Sequence, residues 1–139
     1  DNTLVEYLTN QAELEDIIHK DEKSGLYQIF TKSVPSSALD LISSHKMKNL
    51  VNSLKEEFDI VILDAPACLS VSDPKILARM SDQTLYVVHW DRTEREQVML
   101  GLKQFVDIAY FKVATVFSRV NIKNYARLGY GEISYYSKS

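Results

Sequence analysis

Cysteine is nearly missing from this 139-residue chain, where Cys68 stands alone. One thiol cannot close an internal disulfide, which excludes a disulfide-stapled scaffold and fits a reducing compartment. No apolar run approaches the roughly 18 residues of a membrane span, and no signal-peptide pattern opens the chain. Three prolines and four glycines are too few for a collagen-like or low-complexity polypeptide. None of those glycines (Gly25, Gly101, Gly129, Gly131) precedes a Lys-Ser or Lys-Thr pair, so these residues hold no phosphate loop of the Gly-Lys-Ser/Thr type. His19, His45 and His89 are scattered without metal-ligand spacing. No basic stripe runs through the sequence, which argues against a nucleic-acid partner.

What remains is an ordinary globular composition, 45% hydrophobic and 25% charged, in one domain's worth of chain. The sequence opens mid-pattern at Asp1-Asn2-Thr3-Leu4 without an initiator Met, as expected of a piece excised from something longer. Its net charge of −3 is unevenly spread. From Arg119 onward, Arg119, Lys123, Arg127 and Lys138 face Glu132 alone, a balance of +3 that leaves −6 on the preceding residues. A basic, tyrosine-rich end on an acidic body points to contact with another copy's acidic surface.

The periodicities predict alternating elements. Asn2 or Thr3 caps a short helix over Leu4, Val5 and Leu8, and a second short helix fits Leu14 to His19. Leu26 to Phe30 reads as a strand, 34–37 as a loop, and Leu39, Leu41 and Ile42 as a helical turn. Ser44 caps a longer helix with Met47, Leu50, Val51 and Leu54 on one face. Asp59–Asp64 is the second strand. Ser72 caps a helix holding Ile76, Leu77 and Met80, and Gln83–His89 is the third strand. Thr93 and Glu96 form a capping box for a helix through Val98, Leu100, Leu102, Phe105 and Ile108. Val113–Phe117 is the fourth strand, and the residues from Asn121 show neither helical nor strand period. Strands alternating with helices imply an α/β fold, a parallel sheet flanked by helices. The division expected is a partial nucleotide-binding domain over 1–120 and a tyrosine-rich tail over 121–139.

The stretch that carries most chemistry is Phe58-Asp-Ile-Val-Ile-Leu-Asp-Ala-Pro66. Ile60 to Leu63 form a continuous apolar run suited to a strand buried on both faces. Asp64 ends it at the carboxyl edge, where open α/β sheets bind ligands, and Pro66 bends the chain away. A lone carboxylate so placed has the form of a Walker B element, which holds Mg²⁺ near nucleotide phosphates. The competing reading is an Asp that caps the following turn. Asp73, ahead of Pro74, is read as helix first-turn acid, Cys68 as a small apolar residue, and His89 and Trp90 as rim residues beside the presumed ligand edge. Tyr125, Tyr130, Tyr135 and Tyr136 place four of the eight tyrosines at the end of the chain, among Gly129, Gly131, Ser134, Ser137 and Ser139. Such neighbours favour a tail over a packed element, although a tyrosine-rich end can also pack on a body or partner.

Asp64-Ala65-Pro66, Val71-Ser72-Asp73, the Val87-Val88 strand and the terminal tyrosine cluster together resemble the cytoplasmic kinase domain of bacterial tyrosine kinases (BY-kinases). These are relatives of the deviant-Walker ATPases and are tied to capsule and exopolysaccharide export. The resemblance covers nearly the whole chain and implies a P-loop NTPase-like fold lacking its first strands, the Walker A loop and the Walker A′ segment. It implies transfer of the γ-phosphoryl of ATP to tyrosines in the protein's own or a neighbour's tail. Asp64 would be the catalytic carboxylate that holds Mg²⁺ through water, Ser118 and Arg119 would lie beside the nucleotide, and Tyr125, Tyr130, Tyr135 and Tyr136 would accept phosphate. It also implies ring-like homo-oligomers with tail-to-neighbour contacts, a membrane activator segment in cis or trans, and a cytoplasmic position at the inner membrane. Three positions depart from the family pattern: Ala67 replaces a second proline, Ser37-Ala38 replaces Asn-Pro, and Ser118 replaces an asparagine. Without the loop the chain is expected to be inactive alone. Two other readings stay open: a non-catalytic polysaccharide-assembly module of the same fold, and a partition- or septum-type ATPase, which the tyrosine tail disfavours.

Overall fold

The structure is a computed structural model and describes residues 2–31, 38–68, 73–106 and 113–127. The chain forms two compact units, residues 1–80 and 81–139.

In the first unit, α1 (Leu4–Leu8) begins where Thr3 is held by Glu6. The Glu6 carboxylate accepts the Thr3 backbone N–H at 2.7 Å and the Thr3 hydroxyl. This return arm satisfies a donor the helix cannot. Next come α2 (Leu14–Ile17) and β1 (Ile18–Lys20), so the helix read through His19 stops two residues early. Ile18, His19 and Lys20 instead pair antiparallel with Ile29, Gln28 and Tyr27 of β2 (Tyr27–Ile29). Tertiary pairing overrides a weak local helical preference here. The connecting loop is organised by Asp21, whose carboxylate accepts the backbone N–H groups of Lys23 and Ser24 and the Ser24 hydroxyl. Gly25 closes the loop at φ 74°, the left-handed region that favours glycine.

After α3 (Ala38–Ile42) the Ser44 hydroxyl accepts the Met47 N–H at 3.1 Å and starts α4 (His45–Glu57). Met47, Leu50, Val51 and Leu54 recur at helical spacing, and all are buried. With Leu8 and Leu77 of α5 (Asp73–Met80) they form the core of this unit. Burying each such side chain contributes about 1.5–3 kcal/mol. Lys46 reinforces the α1–α4 contact: its ammonium lies 4.2 Å over the Tyr7 ring and donates to the Asn10 side-chain oxygen at 2.7 Å.

Residues 60–67 belong to no helix or strand, so the strand expected over Asp59–Asp64 is not formed. Its side chains nevertheless alternate. Val61 and Leu63 pack against the α4 core, whereas Ile60 and Ile62 are 78% and 82% exposed. The segment has the period of a strand and one buried face, but no ladder partner among the described residues.

The second unit holds β3 (Thr84–His89) and β4 (Val113–Ser118), paired in parallel from Thr84↔Val113 to His89↔Ser118. This is the parallel α/β arrangement that the alternation implied. Val88 is buried, and Phe105 packs edge-on against Tyr86 at 6.3 Å. Between the strands runs α6 (Arg95–Lys103), whose N-cap is Glu94 and not Thr93. The Gln97 side chain accepts the Glu94 N–H at 3.3 Å, so the box lies one residue further on than expected. A last helix, α7 (Ile122–Arg127), occupies residues expected to be without period. Its signal was the cap: the Asn121 side chain accepts the Asn124 N–H at 3.2 Å. Among the described residues no helix is long and apolar enough to cross a membrane.

Candidate functional site

Asp64 follows directly on Leu63, the last side chain of the 60–63 run that reaches the α4 core. The buried face of that run fixes the segment on its unit, and Asp64 itself is exposed. Among the described residues no group of three or more His, Cys, Asp and Glu side chains is gathered that could form a metal cage. One exposed carboxylate suits a different kind of ion. Mg²⁺ keeps several waters and takes only one or two protein carboxylates, with phosphate oxygens completing its shell. Asp64 therefore fits a Mg²⁺–nucleotide ligand. The phosphates themselves have no cradle here, since the sequence carries no Gly-Lys-Ser or Gly-Lys-Thr.

Ser118 and Arg119 lie in the second unit, where β3 and β4 end together because they run parallel. The Trp90 N–H donates to the Ser118 carbonyl at 3.1 Å, and the Ser118 hydroxyl donates to the Val88 carbonyl at 3.4 Å. That leaves the hydroxyl's lone pairs to accept, for instance from a base amino group. Past β3 the chain turns sharply, with Arg92 and Thr93 N–H groups both donating to the His89 carbonyl. Asp91 at φ 59° and Arg119 at φ 56° each hold a left-handed conformation beyond a strand end. Non-glycine residues there pay about 1–2 kcal/mol. The structure thus brings Ser118, Arg119, His89, Trp90 and Asp91 to one carboxyl edge, the position at which α/β sheets take ligands. Asp91 carries no pattern that sequence reasoning could have used; only its backbone marks it.

Asp64 belongs to the first unit and this edge to the second. Tyr125 sits in α7, half-buried, its N–H donating to the Asn121 carbonyl at 2.9 Å. Tyr130, Tyr135 and Tyr136 lie outside the described residues, as do 34–37 and Ser72.

No family model matches the chain. Individual proteins do. It is 33% identical over 102 residues, 73% of its length, to the tyrosine-protein kinase Ptk of Acinetobacter johnsonii. It is 29% identical over 104 residues, 75% of its length, to a putative tyrosine-protein kinase in the cps region of Klebsiella pneumoniae. The crystal structure of the VpsO kinase domain superposes with a TM-score of 0.77 at 27% identity, over 84% of this chain and 58% of that domain. The chain spans only 14% of the length of each of the two curated relatives.

Proposed function

We propose a phosphotransfer role for this chain, which belongs to the bacterial tyrosine-kinase (BY-kinase) family and covers part of its kinase domain. It forms the C-terminal part of an ATP-dependent tyrosine autokinase that regulates capsular and exopolysaccharide biosynthesis and export. The observation that carries the reading is Asp64: an exposed carboxylate directly after a run whose alternate side chains are anchored in the core. Anchoring matters because phosphoryl transfer is catalysed by positioning and charge more than by covalent chemistry. When Mg²⁺ is bound with ATP, the ion neutralises charge on the phosphates. Asp64 would accept hydrogen bonds from the waters of that ion. Ser118 would accept from the base, and the Arg119 guanidinium would offer positive charge at the sheet edge. Tyr125, Tyr130, Tyr135 and Tyr136 would receive phosphate.

Each phosphate adds about −1.5 to −2 charge at pH 7. Two would cancel the +3 balance of the residues from Arg119 onward, and more would reverse it and release them from an acidic neighbour. This charge logic supports a ring-like homo-oligomer held by tail-to-neighbour contacts and dissolved by phosphorylation. The cps-region relative supports a place in surface-polysaccharide assembly. The proposed position is the cytoplasmic side of the inner membrane, with an activator segment in cis or trans. In this reading a phosphate loop supplied from outside these 139 residues would cradle the phosphates.

The test uses the whole natural protein with ATP and Mg²⁺, mapping tail phosphate by mass spectrometry, with Asp64→Asn beside it. Phosphate on the tail tyrosines that falls by at least about 100-fold in Asp64→Asn is the expected result, the scale typical of one removed electrostatic catalytic group. An unmodified tail in a protein that still binds ATP would instead favour the non-catalytic assembly module.

A further inference from the structure

We propose that Tyr27 is a second acceptor site, an internal phosphotyrosine on the β1–β2 hairpin. The inference rests on the kinase reading above. Among the described tyrosines, Tyr7, Tyr86 and Tyr125 are half-buried, and Tyr27, at 45% exposure, is the exposed one. Two of the others are engaged by packing, Tyr7 under Lys46 and Tyr86 against Phe105.

Three features of Tyr27 suit an acceptor. The first is access. Tyr27 forms the loop-end pair of a ladder only three residues long, opposite Lys20. A hydrogen bond from the Asp21 N–H to the Leu26 carbonyl at 2.8 Å closes the loop beyond that pair, and the Tyr27 side chain stands at the hairpin's exposed end. The second is charge. The Lys20 ammonium lies 5.5 Å from the Tyr27 ring centroid, on the cross-strand partner itself. It is placed to pair with a phosphate once one is attached. The third is consequence. The Tyr27 ring packs on Phe58, with centroids 5.2 Å apart. Phe58 is the C-cap of α4 and begins the segment that leads to Asp64. A dianionic group on Tyr27 favours water and Lys20 over the Phe58 face, so modification would loosen the hairpin from that segment.

In the step itself the Tyr27 phenol oxygen attacks the γ-phosphorus of MgATP. The new O–P bond forms as the bond from γ-phosphorus to the bridging oxygen breaks. ADP leaves with that electron pair, and the phenolic proton passes to solvent or a nearby base.

The experiment maps phosphotyrosine by tandem mass spectrometry on the whole natural protein incubated with MgATP, as wild type and as Tyr27→Phe. The expected result is phosphate on the peptide containing Tyr27 as well as on the tail, with only the former lost in Tyr27→Phe. That substitution keeps the ring that packs on Phe58. Tail phosphate with none on Tyr27 overturns this inference and leaves the kinase reading intact. No phosphotyrosine anywhere overturns both. The wild-type map alone decides between these outcomes, so the folding of the variant is not critical.

Discussion

Residues 60–63 (Ile-Val-Ile-Leu) and 85–88 (Leu-Tyr-Val-Val) are almost equally apolar, yet only the second is a strand. Both alternate in burial: Val61 and Leu63 face a core while Ile60 and Ile62 face out, and Val88 is buried while Leu85 and Val87 face out. The difference is the neighbour. β3 has β4 beside it in register, and 60–63 has no ladder partner among the described residues. An apolar run with period two therefore encodes the demand for a partner strand, and the ladder forms only where the partner exists.

Phe105 covers β3 through Tyr86. Phe105→Ala should destabilise the second unit by about 3–5 kcal/mol. Trp90, the only tryptophan of the chain, lies in that unit, so its fluorescence in a urea titration reports the loss. The two faces of the 60–63 run respond differently to a charge. Val61→Asp, facing the α4 core, should cost about 1–3 kcal/mol, because it puts a carboxylate where an apolar side chain packs. Ile60→Asp should stay within about 0.5 kcal/mol. Far-UV circular dichroism during thermal unfolding separates the two, and equal costs would refute the one-sided anchoring. Smaller still, Ser44→Ala removes the α4 cap and should cost about 1 kcal/mol in the same measurement.

The smallest effect concerns pH. The Ser24 hydroxyl, then the Lys23 and Ser24 N–H groups, hold the Asp21 carboxyl below its ordinary 3.8. A depressed folded value means the support for the hairpin is fully present above pH 3.8 and disappears as pH falls through the lower folded value. Asp21→Ala should abolish this acid dependence. The Gly25 amide, which donates to the Asp21 carbonyl, is an NMR reporter for it.

Much of this architecture was legible from residues alone. Ser44 with the Met47, Leu50, Val51 and Leu54 spacing announced α4, and the apolar patterns announced β3, β4 and the parallel arrangement. What escaped had physical causes. β1 exists because β2 pairs with it, and Ile17-Ile18-His19 carries no local mark of that. α7 rests on a single Asn121 cap, in residues whose apolar pattern shows no period. The apolar run within 59–64 has the composition of a strand, and composition cannot report whether a neighbour lies beside it. For the candidate site, the sequence named Asp64, Ser118 and Arg119 by motif and resemblance. It gave no hint that Asp91 and Arg119 would share an unusual backbone state at one edge, because φ is set by the turn the chain must make there.

That shared state bears on how this protein trades robustness against use. A chain that needed only to reverse direction after β3 and β4 would place glycine at both turns, where the left-handed region is free of steric cost. Here an aspartate and an arginine stand instead. Relief of each local strain is available through one substitution, so a selection for thermal hardiness alone would drift toward Asp91→Gly and Arg119→Gly. Lineages that resist that drift would identify the side chains, and not the turns, as what the sheet edge is kept for.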